Sequence, residues 1–182
     1  HQSPLGVSLS LPRRLALLEW AQTSQAWIVE DDYDSEYRYV GRPLPALKSL
    51  DHHGRVLYCG TFSKVLFPGV RLAYLVVPPA QVERFAACAR TFDHGCPALA
   101  QAITADFLDQ GHFARHLKRM RALYAQRRGF LAAALEVVFG SRLQVELQAG
   151  GIHLLARLDE SENDVDLAAR AQGAGLAVMA LS

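Results

Sequence analysis

The residues with the clearest chemical potential lie in the stretch GTFSKVLFPGVR, residues 60–71. Its hydroxyl side chains, Thr61 and Ser63, can donate hydrogen bonds to phosphate oxygens. Arg71 can bind the same phosphate through two parallel hydrogen bonds. Lys64 differs from arginine because its amine can lose a proton and form an imine with a carbonyl group. The stretch therefore indicates a site for a phosphate-bearing carbonyl compound.

Lysine is scarce in this chain, which strengthens the case for Lys64. The other two lysines are Lys48 and Lys118, whereas arginine occurs throughout the sequence. A single lysine after a strand is usually a solvated side chain, so the hydroxyls and the arginine around Lys64 carry the argument. A phosphate-binding loop of NTPases is excluded, because the order here is Ser-Lys and the Gly-Lys-Ser or Gly-Lys-Thr ending is missing.

A second polar cluster follows a neighbouring apolar run. The sequence EDDYDSEY, residues 30–37, supplies several carboxylates together with the phenols of Tyr33 and Tyr37. A carboxylate such as Asp31 can keep a pyridine nitrogen protonated, which allows pyridoxal phosphate to act as an electron sink. The amine, the phosphate-binding groups and this carboxylate together match pyridoxal 5'-phosphate. A metal site is the weaker alternative, since the cluster contains no histidine and a solvated acidic turn is commoner.

Both clusters follow short apolar runs that predict buried strands. AWIVE, residues 26–30, leads into the acidic cluster, and RVLYCG, residues 55–60, leads to Lys64. A third run, LAYLVVP, covers residues 72–78. Continuous apolar strands with helices around them predict an α/β fold with a mostly parallel sheet covered on both faces. Since ligand sites of open α/β sheets lie at the carboxyl ends of the strands, we expect the two clusters to share one site.

Helical periodicity dominates the rest of the chain. Its pattern predicts a long amphipathic helix of about eight turns over residues 112–140. RLQVELQAGGIHLLARL, residues 142–158, predicts a strand pair around Gly150-Gly151, and residues 176–181 predict a further strand. Shorter helices are predicted over residues 11–23, 81–91, 97–111 and 163–175.

The long helix carries two histidines and a basic face. His112 and His116 lie four residues apart but lack the glutamate of the zinc motif H-E-x-x-H, so we expect both at the surface. The basic side chains are expected to be solvated or paired at a domain interface, and nucleic-acid contact is the weaker alternative. They are Arg115, Lys118, Arg119, Arg121, Arg127 and Arg128.

Composition narrows the class of protein. Of 182 residues, 51% are apolar and the net charge is +1, which is typical of globular proteins and argues against a nucleic-acid-binding module in this chain. Cys59, Cys88 and Cys96 form no C-x-x-C pair, so neither a zinc site nor a disulfide framework is indicated, and a reducing cytoplasm is expected. No apolar run is long enough to span a bilayer, and both ends are expected to be cut from a longer protein.

Two segments resemble a known family. VEDDYDSEYRYVGRPLPALKSLD, residues 29–51, and GRVLYCGTFSKVLFPGVRLAYLVVP, residues 54–78, are similar to the aminotransferase-like domain of MocR-type regulators in the GntR superfamily. This resemblance implies the type I fold of pyridoxal-phosphate enzymes. The implied divisions are part of the large domain over residues 1–110, a connecting helix over residues 111–140 and part of a small α+β domain over residues 141–182.

The resemblance also implies a role for each site residue. Lys64 would form the internal aldimine with pyridoxal phosphate. Asp31 would pair with the pyridine nitrogen, and Tyr33 would hydrogen-bond the ring hydroxyl. The residues that would hold the phosphate are Thr61, Ser63 and Arg71.

Regulators of this type join a DNA-binding winged helix-turn-helix to a homodimeric domain that senses an amino acid or amine through external aldimine formation. The resemblance covers about the later half of that domain, so DNA contact would belong to a domain outside this chain. Ser3 stands where true aminotransferases carry the asparagine of Asn-Pro-Thr-Gly. Two alternatives stay open: a class I/II aminotransferase of the aminoadipate or aromatic type acting on a 2-oxo acid, and a truncated remnant without cofactor.

Overall fold

The structure is a computed structural model that describes residues 2, 5–92, 98–159 and 163–181. Within these residues the chain forms five α-helices and five strands. The helices are α1 (Leu11–Thr23), α2 (Val82–Phe92), α3 (Ala98–Asp109), α4 (His112–Phe139) and α5 (Asp164–Gly173). The strands are β1 (Ile28–Asp32), β2 (Val56–Thr61), β3 (Ala73–Val76), β4 (Leu143–Glu146) and β5 (Leu155–Leu158).

The first three strands form a mixed sheet in the order β1-β2-β3. β1 lies parallel to β2, as expected, with Asp31 opposite Cys59. β3 instead runs antiparallel to β2, with Thr61 opposite Ala73. The connection over residues 62–72 contains only a turn and a short 3-10 helix, whereas a parallel crossover normally carries an α-helix. The fold is therefore α/β as predicted, with the parallel pairing confined to β1 and β2 among the described strands.

The predicted helices occur close to their expected positions. α1 coincides with the prediction over residues 11–23, and α4 covers all but the last residue of the predicted long helix. Glycines with positive φ bound α4 at both ends, Gly111 at 69° and Gly140 at 55°, a conformation that other residues rarely adopt. Ser3, Cys96 and the first residue of the predicted helix over residues 97–111 lie outside the described residues.

The predicted strand over residues 176–181 is wrong. After α5 the amide of Leu176 donates to the carbonyl of Ala171 at 2.9 Å, and the amide of Leu181 donates to the carboxylate of Asp164 at 2.8 Å. Because these amides bond back to α5, they are not available for a sheet ladder. The strand pair around the two glycines is confirmed, since β4 and β5 pair antiparallel.

Two apolar clusters form the core of the described chain. Leu18 and Val56 pack α1 against the sheet. Tyr37, Val65 and Leu117 join the acidic segment, the residue after Lys64 and helix α4, and the first two are each only 1% exposed. Burial of such a side chain stabilises a fold by roughly 1.5–3 kcal/mol. The second cluster therefore fixes the part of the chain that carries Lys64.

The edge of the sheet is open. Every residue of β3 is exposed, including Leu75 at 42% and Val76 at 43%. The expected cover on both faces is not provided by the described residues.

None of the helices among the described residues is long and apolar enough to cross a membrane.

Candidate functional site

Lys64 lies in a single helical turn that follows β2 directly. The amide of Leu66 donates to the carbonyl of Phe62 at 2.8 Å, which closes the turn. The hydroxyl of Thr61 accepts the amide N–H of Ser63 at 3.1 Å, as a helix-capping residue does. The side chain of Lys64 is exposed, and its amine has no hydrogen-bond or ion-pair partner among the described residues. The backbone of the turn is thus held in place, while the amine is unpaired among the described residues.

Two side chains from distant parts of the sequence hold the backbone of this turn. The hydroxyl of Tyr37 donates to the carbonyl of Lys64 at 3.3 Å, and Nε2 of His116 donates to the carbonyl of Val65 at 2.9 Å. Burial raises the pKa of Tyr37 to about 12, so its hydroxyl keeps the proton that it donates. Lys64 is therefore positioned both by the acidic segment and by α4.

The expectation that His116 is a surface residue is wrong. The structure places it half buried, with its ring 6.3 Å from the ring of Phe107, whereas His112 is exposed as predicted. His116 lies three residues after Phe113 and four before Met120, which places it on the apolar face of the helix. The spacing of His116 from Phe113 and Met120 indicates its burial, which the absence of a zinc motif does not address.

Lys64 lines a cavity of about 350 Å³ between α4 and the loop that precedes β5. Small-molecule sites have about this volume and combine apolar walls with a few polar groups. Here the walls include Tyr39, Tyr124 and Ile152. Within the described residues, no aspartate or glutamate lines this cavity. Its polar groups that can carry a positive charge are Lys64, Arg127, Arg128 and His153.

The cavity forms because the acidic segment docks on the turn at Gly151. The amide of Gly151 donates to the carbonyl of Tyr37 at 2.8 Å, and the amide of Tyr39 donates to the carbonyl of Ala149 at 2.9 Å. Asp34, only 1% exposed, accepts a backbone N–H from the same loop at 3.2 Å. Gly151 has φ 89°, and a Cβ at this position would lie 3.0 Å from Oδ2 of Asp34. Both observations require glycine here.

Asp31 and Asp32 have different surroundings although they are adjacent. Asp32 accepts hydrogen bonds from the hydroxyl of Tyr58 at 2.7 Å and from the amide of Ser35 at 3.1 Å. Burial, together with the bond to Asp32, raises the pKa of Tyr58. Asp31 lies on the opposite face of β1 and is exposed. Burial and the negative charge of Asp31 raise the pKa of the Cys59 thiol. Both carboxylates line the same polar cavity, and Asp31 is the more exposed of the two.

The structure does not bring all the predicted site residues into one cavity. Asp31 lines a separate polar cavity of about 470 Å³, together with Arg38 and Arg121. Tyr33 lies beside His153, with ring centroids 6.2 Å apart, at the rim of the loop that borders the Lys64 cavity. The roles given to Asp31 and Tyr33 stay predictions.

The three residues predicted to hold phosphate lie around the Lys64 turn. Thr61 is half buried, and its hydroxyl lies 3.4 Å from the carbonyl of Leu72. Arg71 is exposed, and its guanidinium has no partner within the described part of the chain. Its backbone is left-handed, with φ 48° and ψ 38°, which costs a non-glycine residue about 1–2 kcal/mol. Strain of this kind is typical of functional positions.

Lys48 shows what a structural lysine looks like in this chain. Its amine donates to the carbonyl of Val56 at 2.7 Å and lies 3.5 Å from the carboxylate of Asp51. Lys118 is exposed on α4. Lys64 differs from both, because its amine is unpaired among the described residues and yet faces a cavity.

The basic face of α4 divides into two groups. Arg121 donates to the backbone carbonyl of Glu36, and Arg128 donates to the carbonyl of Gln148 at 2.6 Å. These two arginines bind backbone carbonyls of neighbouring segments, and their place at a domain interface stays a prediction. The remaining cations of this face are exposed.

The chemistry of these groups fits pyridoxal phosphate. The unpaired amine of Lys64 suits an aldehyde, and the unpaired guanidinium of Arg71 suits a phosphate. The exposed carboxylate of Asp31 suits a protonated ring nitrogen.

Comparison with known proteins agrees with this chemistry. The family model described as "Aminotransferase class I and II" matches residues 1–182. The probable rhizopine catabolism regulatory protein MocR of Rhizobium meliloti is 43% identical over 181 residues, which are 100% of this chain and 37% of that protein. The pyridoxine biosynthesis transcriptional regulator PdxR of Corynebacterium glutamicum is 38% identical over an alignment of 186 positions, which covers 100% of this chain and 39% of that protein.

A solved structure is also similar. The crystal structure of Pyrococcus horikoshii kynurenine aminotransferase in complex with PMP has a TM-score of 0.86 and 31% identity, over 98% of this chain and 44% of that chain. The chain thus spans less than half the length of these proteins. The predicted resemblance to MocR-type regulators and the predicted fold are confirmed. The chain belongs to the aminotransferase class I and II family, with the type I fold and pyridoxal phosphate as its cofactor.

Proposed function

We propose that this chain senses an amino compound within a MocR-type transcriptional regulator. The observation that carries the proposal is the free amine of Lys64, held at a cavity by a backbone that Tyr37 and His116 fix. Pyridoxal phosphate supplies a carbonyl carbon to which either this lysine or an incoming amine attaches. The whole length of this chain is 43% and 38% identical to two transcriptional regulators, which supports a regulatory rather than a metabolic function.

Different residues of this chain would bind different parts of the cofactor. The amine of Lys64 would hold the cofactor, and an incoming amine would compete with it for the same carbonyl carbon. The carboxylate of Asp31 stabilises the protonated ring nitrogen, and the hydroxyl of Tyr33 bonds the ring oxygen. The side chains that bind the phosphate are Thr61, Ser63 and Arg71.

Helix α4 is the element suited to transmit binding. It contacts the Lys64 turn through His116 and the loop before β5 through Arg128. When Lys64 is released from the cofactor, the turn that His116 contacts loses an attachment. We therefore infer that α4 shifts between a large-domain part, residues 1–110, and a small-domain part, residues 141–182. Such a shift would reach DNA through a winged helix-turn-helix outside this chain, in a cytoplasmic homodimer.

An aminotransferase is the second candidate. The 31% identity to kynurenine aminotransferase over 98% of this chain favours it. In that case the released amine of Lys64 would carry a proton between the substrate carbon and the cofactor, as a general base and then an acid.

Visible absorbance of the full-length protein with pyridoxal phosphate separates the two candidates. A sensor changes its absorbance when an amine is added, recovers when the amine is removed, and transfers no amino group to an added 2-oxo acid. The variant Lys64→Ala is expected to lose this change, whereas Lys118→Ala, which removes an exposed lysine of α4, keeps it. Steady transfer of amino groups would favour the enzyme instead. Binding that is equal in wild type and Lys64→Ala would overturn both candidates.

A further inference from the structure

A hydrogen bond between two side chains joins β1 to β2 beside the residues predicted to bind the cofactor ring. The hydroxyl of Tyr58 on β2 donates to Oδ2 of Asp32, the last residue of β1, at 2.7 Å. The two side chains lie on the same face of the sheet, because Tyr58 pairs with the residue two positions before Asp32. In the sequence Asp32 is flanked by Asp31 and Tyr33. The bond therefore ties the strand that leads to Lys64 to the end of the strand that carries both predicted ring contacts.

Asp32 uses both of its carboxylate oxygens for contacts within the protein. Besides the hydroxyl of Tyr58, Oδ2 accepts the hydroxyl of Ser35 at 2.5 Å, and Oδ1 accepts the amide N–H of Ser35 at 3.1 Å. The bonds to Ser35 close the turn that follows β1, as aspartate side chains commonly do. Asp31 lies on the opposite face of the strand and is exposed. The two adjacent aspartates thus differ in role, since Asp32 fixes the backbone on which Asp31 stands.

The third strand of the sheet holds the ring of Tyr58 in place. Tyr74 on β3 has its ring centroid 6.2 Å from that of Tyr58, and the two hydroxyls are hydrogen-bonded to each other. The ring of Tyr74 lies over Gly60, where a Cβ would overlap Cζ of that ring, so the arrangement requires glycine. Burial, followed by the bond to Asp32, raises the pKa of Tyr58, and its hydroxyl therefore keeps the proton that it donates. Tyr58 is a fixed donor to the end of β1.

We propose that Tyr58 and Asp32 are positioning residues for the cofactor ring, which hold the end of β1 so that Asp31 and Tyr33 meet the ring nitrogen and the ring oxygen. This inference rests on the proposed function, because that function assigns Asp31 and Tyr33 to pyridoxal phosphate. Both positioning residues act through these two neighbours rather than on the cofactor itself. A hydrogen bond weakens steeply when its distance or angle departs from the optimum, so a small displacement of Asp31 weakens its contact with the ring nitrogen.

The pH dependence of visible absorbance tests the proposal in the full-length protein loaded with pyridoxal phosphate. The positive charge that Asp31 stabilises on the ring nitrogen disfavours a proton on the attached nitrogen of Lys64, so it lowers the pH midpoint of the absorbance change. Tyr58→Phe keeps the ring and every charge, including those of Asp34 and Glu36, and removes only the bond to the end of β1. We expect its pH midpoint to rise by about 0.5–1 unit, in the same direction as in Asp31→Asn and by less.

Two control variants separate positioning from a general loss of stability. Leu18→Ala removes apolar contacts from the cluster between α1 and the sheet, away from the bond between Tyr58 and Asp32. It should lower the unfolding midpoint at least as much as Tyr58→Phe and leave the pH midpoint within about 0.2 unit of wild type. Tyr74→Phe removes a neighbouring tyrosine hydroxyl but keeps the donor to Asp32, so its pH midpoint should shift by less than that of Tyr58→Phe.

A pH midpoint that shifts in Asp31→Asn but stays at the wild-type value in Tyr58→Phe would overturn the inference and leave the proposed function standing. Equal shifts in Tyr58→Phe and Leu18→Ala would also overturn it, because the midpoint would then follow stability alone. An unshifted midpoint in Asp31→Asn would remove Asp31 from the ring nitrogen, and the inference with it. An absorbance band that is unchanged in Lys64→Ala would instead mark failure of the proposed function, on which this inference depends.

Discussion

The turn at Lys64 and the groups predicted to serve the rest of the cofactor are built in different ways. Lys64 has its backbone held by Tyr37 and His116, and the next side chain is 1% exposed. Asp31 and Arg71 are exposed and lie outside the Lys64 cavity. This contrast shows that the chain fixes the backbone that carries Lys64 by its own contacts. The side chains predicted to bind the ring nitrogen and the phosphate, Asp31 and Arg71, are instead exposed.

The largest effect is expected where the acidic segment docks beside Lys64. Gly151→Ala forces a side chain into φ 89° and against Asp34, so the free energy of unfolding should fall by about 2–4 kcal/mol. The matched control is Gly129→Ala in α4, where a Cβ meets nothing within 4 Å and the free energy should rise by about 0.5–1 kcal/mol. Urea unfolding measures both. Equal effects of the two variants would mean that the docking contact does not stabilise the site.

The burial of the Tyr37 hydroxyl, which donates to the carbonyl of Lys64, should be detectable in alkaline solution. The pKa of Tyr37 is raised to about 12, so the unfolded chain releases this proton near pH 10 while the folded chain keeps it. The stabilising contribution is therefore complete below pH 10 and is lost as the pH rises toward 12. Tyr37→Phe should lower the free energy of unfolding by about 1 kcal/mol at pH 7 and flatten its decline above pH 10. Curves that stay parallel from pH 7 to 11.5 would contradict this assignment.

A smaller effect is expected at His116. His116→Phe removes the donor to the carbonyl of Val65, which should cost about 1 kcal/mol and accelerate hydrogen exchange at the amide of Leu66. His112→Phe changes an exposed residue of the same helix and should leave that amide unchanged. If both variants exchange alike, α4 does not hold the Lys64 turn.

The smallest effect on stability is expected at Arg71, whose side chain is exposed. Its sign should be opposite to that of the preceding variants. Arg71→Gly relieves the left-handed backbone and should leave the free energy of unfolding unchanged or raise it by up to about 1 kcal/mol. The affinity for pyridoxal phosphate should nevertheless fall by about tenfold, because a charged partner of the phosphate is lost. Arg71→Lys keeps the charge and the strain, so it should lose less affinity. An unchanged cofactor affinity in Arg71→Gly would remove this residue from the phosphate site.

Much of the fold followed from local patterns, and the site followed only in part. The spacing of Phe113, Leu117 and Met120 predicted α4 because helical periodicity is a local property. The contact of Asp34 with the loop at Gly151 depends on residues more than a hundred positions apart, which no local pattern encodes. The same reason hid the bond between His116 and Val65.

The sheet shows a second limit of local sequence patterns, which do not give the direction of a strand. The apolar runs located β1 to β3 correctly, but they could not give the direction of β3, which the connection after Lys64 decides. The final strand failed because its amides found partners in α5 rather than at a strand edge. Residue types indicated the chemistry of Lys64, whereas the cations that share its cavity became visible only in three dimensions.

The most direct test of the account is the position of the covalent bond to the cofactor. The full-length protein is incubated with pyridoxal phosphate, reduced with borohydride and digested, and the modified peptide is sequenced by mass spectrometry. This chain offers three lysines, and Lys48 is already bonded to the carbonyl of Val56. We expect the phosphopyridoxyl group on Lys64 alone among Lys48, Lys64 and Lys118. A label spread over the three lysines, or a label that persists in Lys64→Ala, would contradict the account.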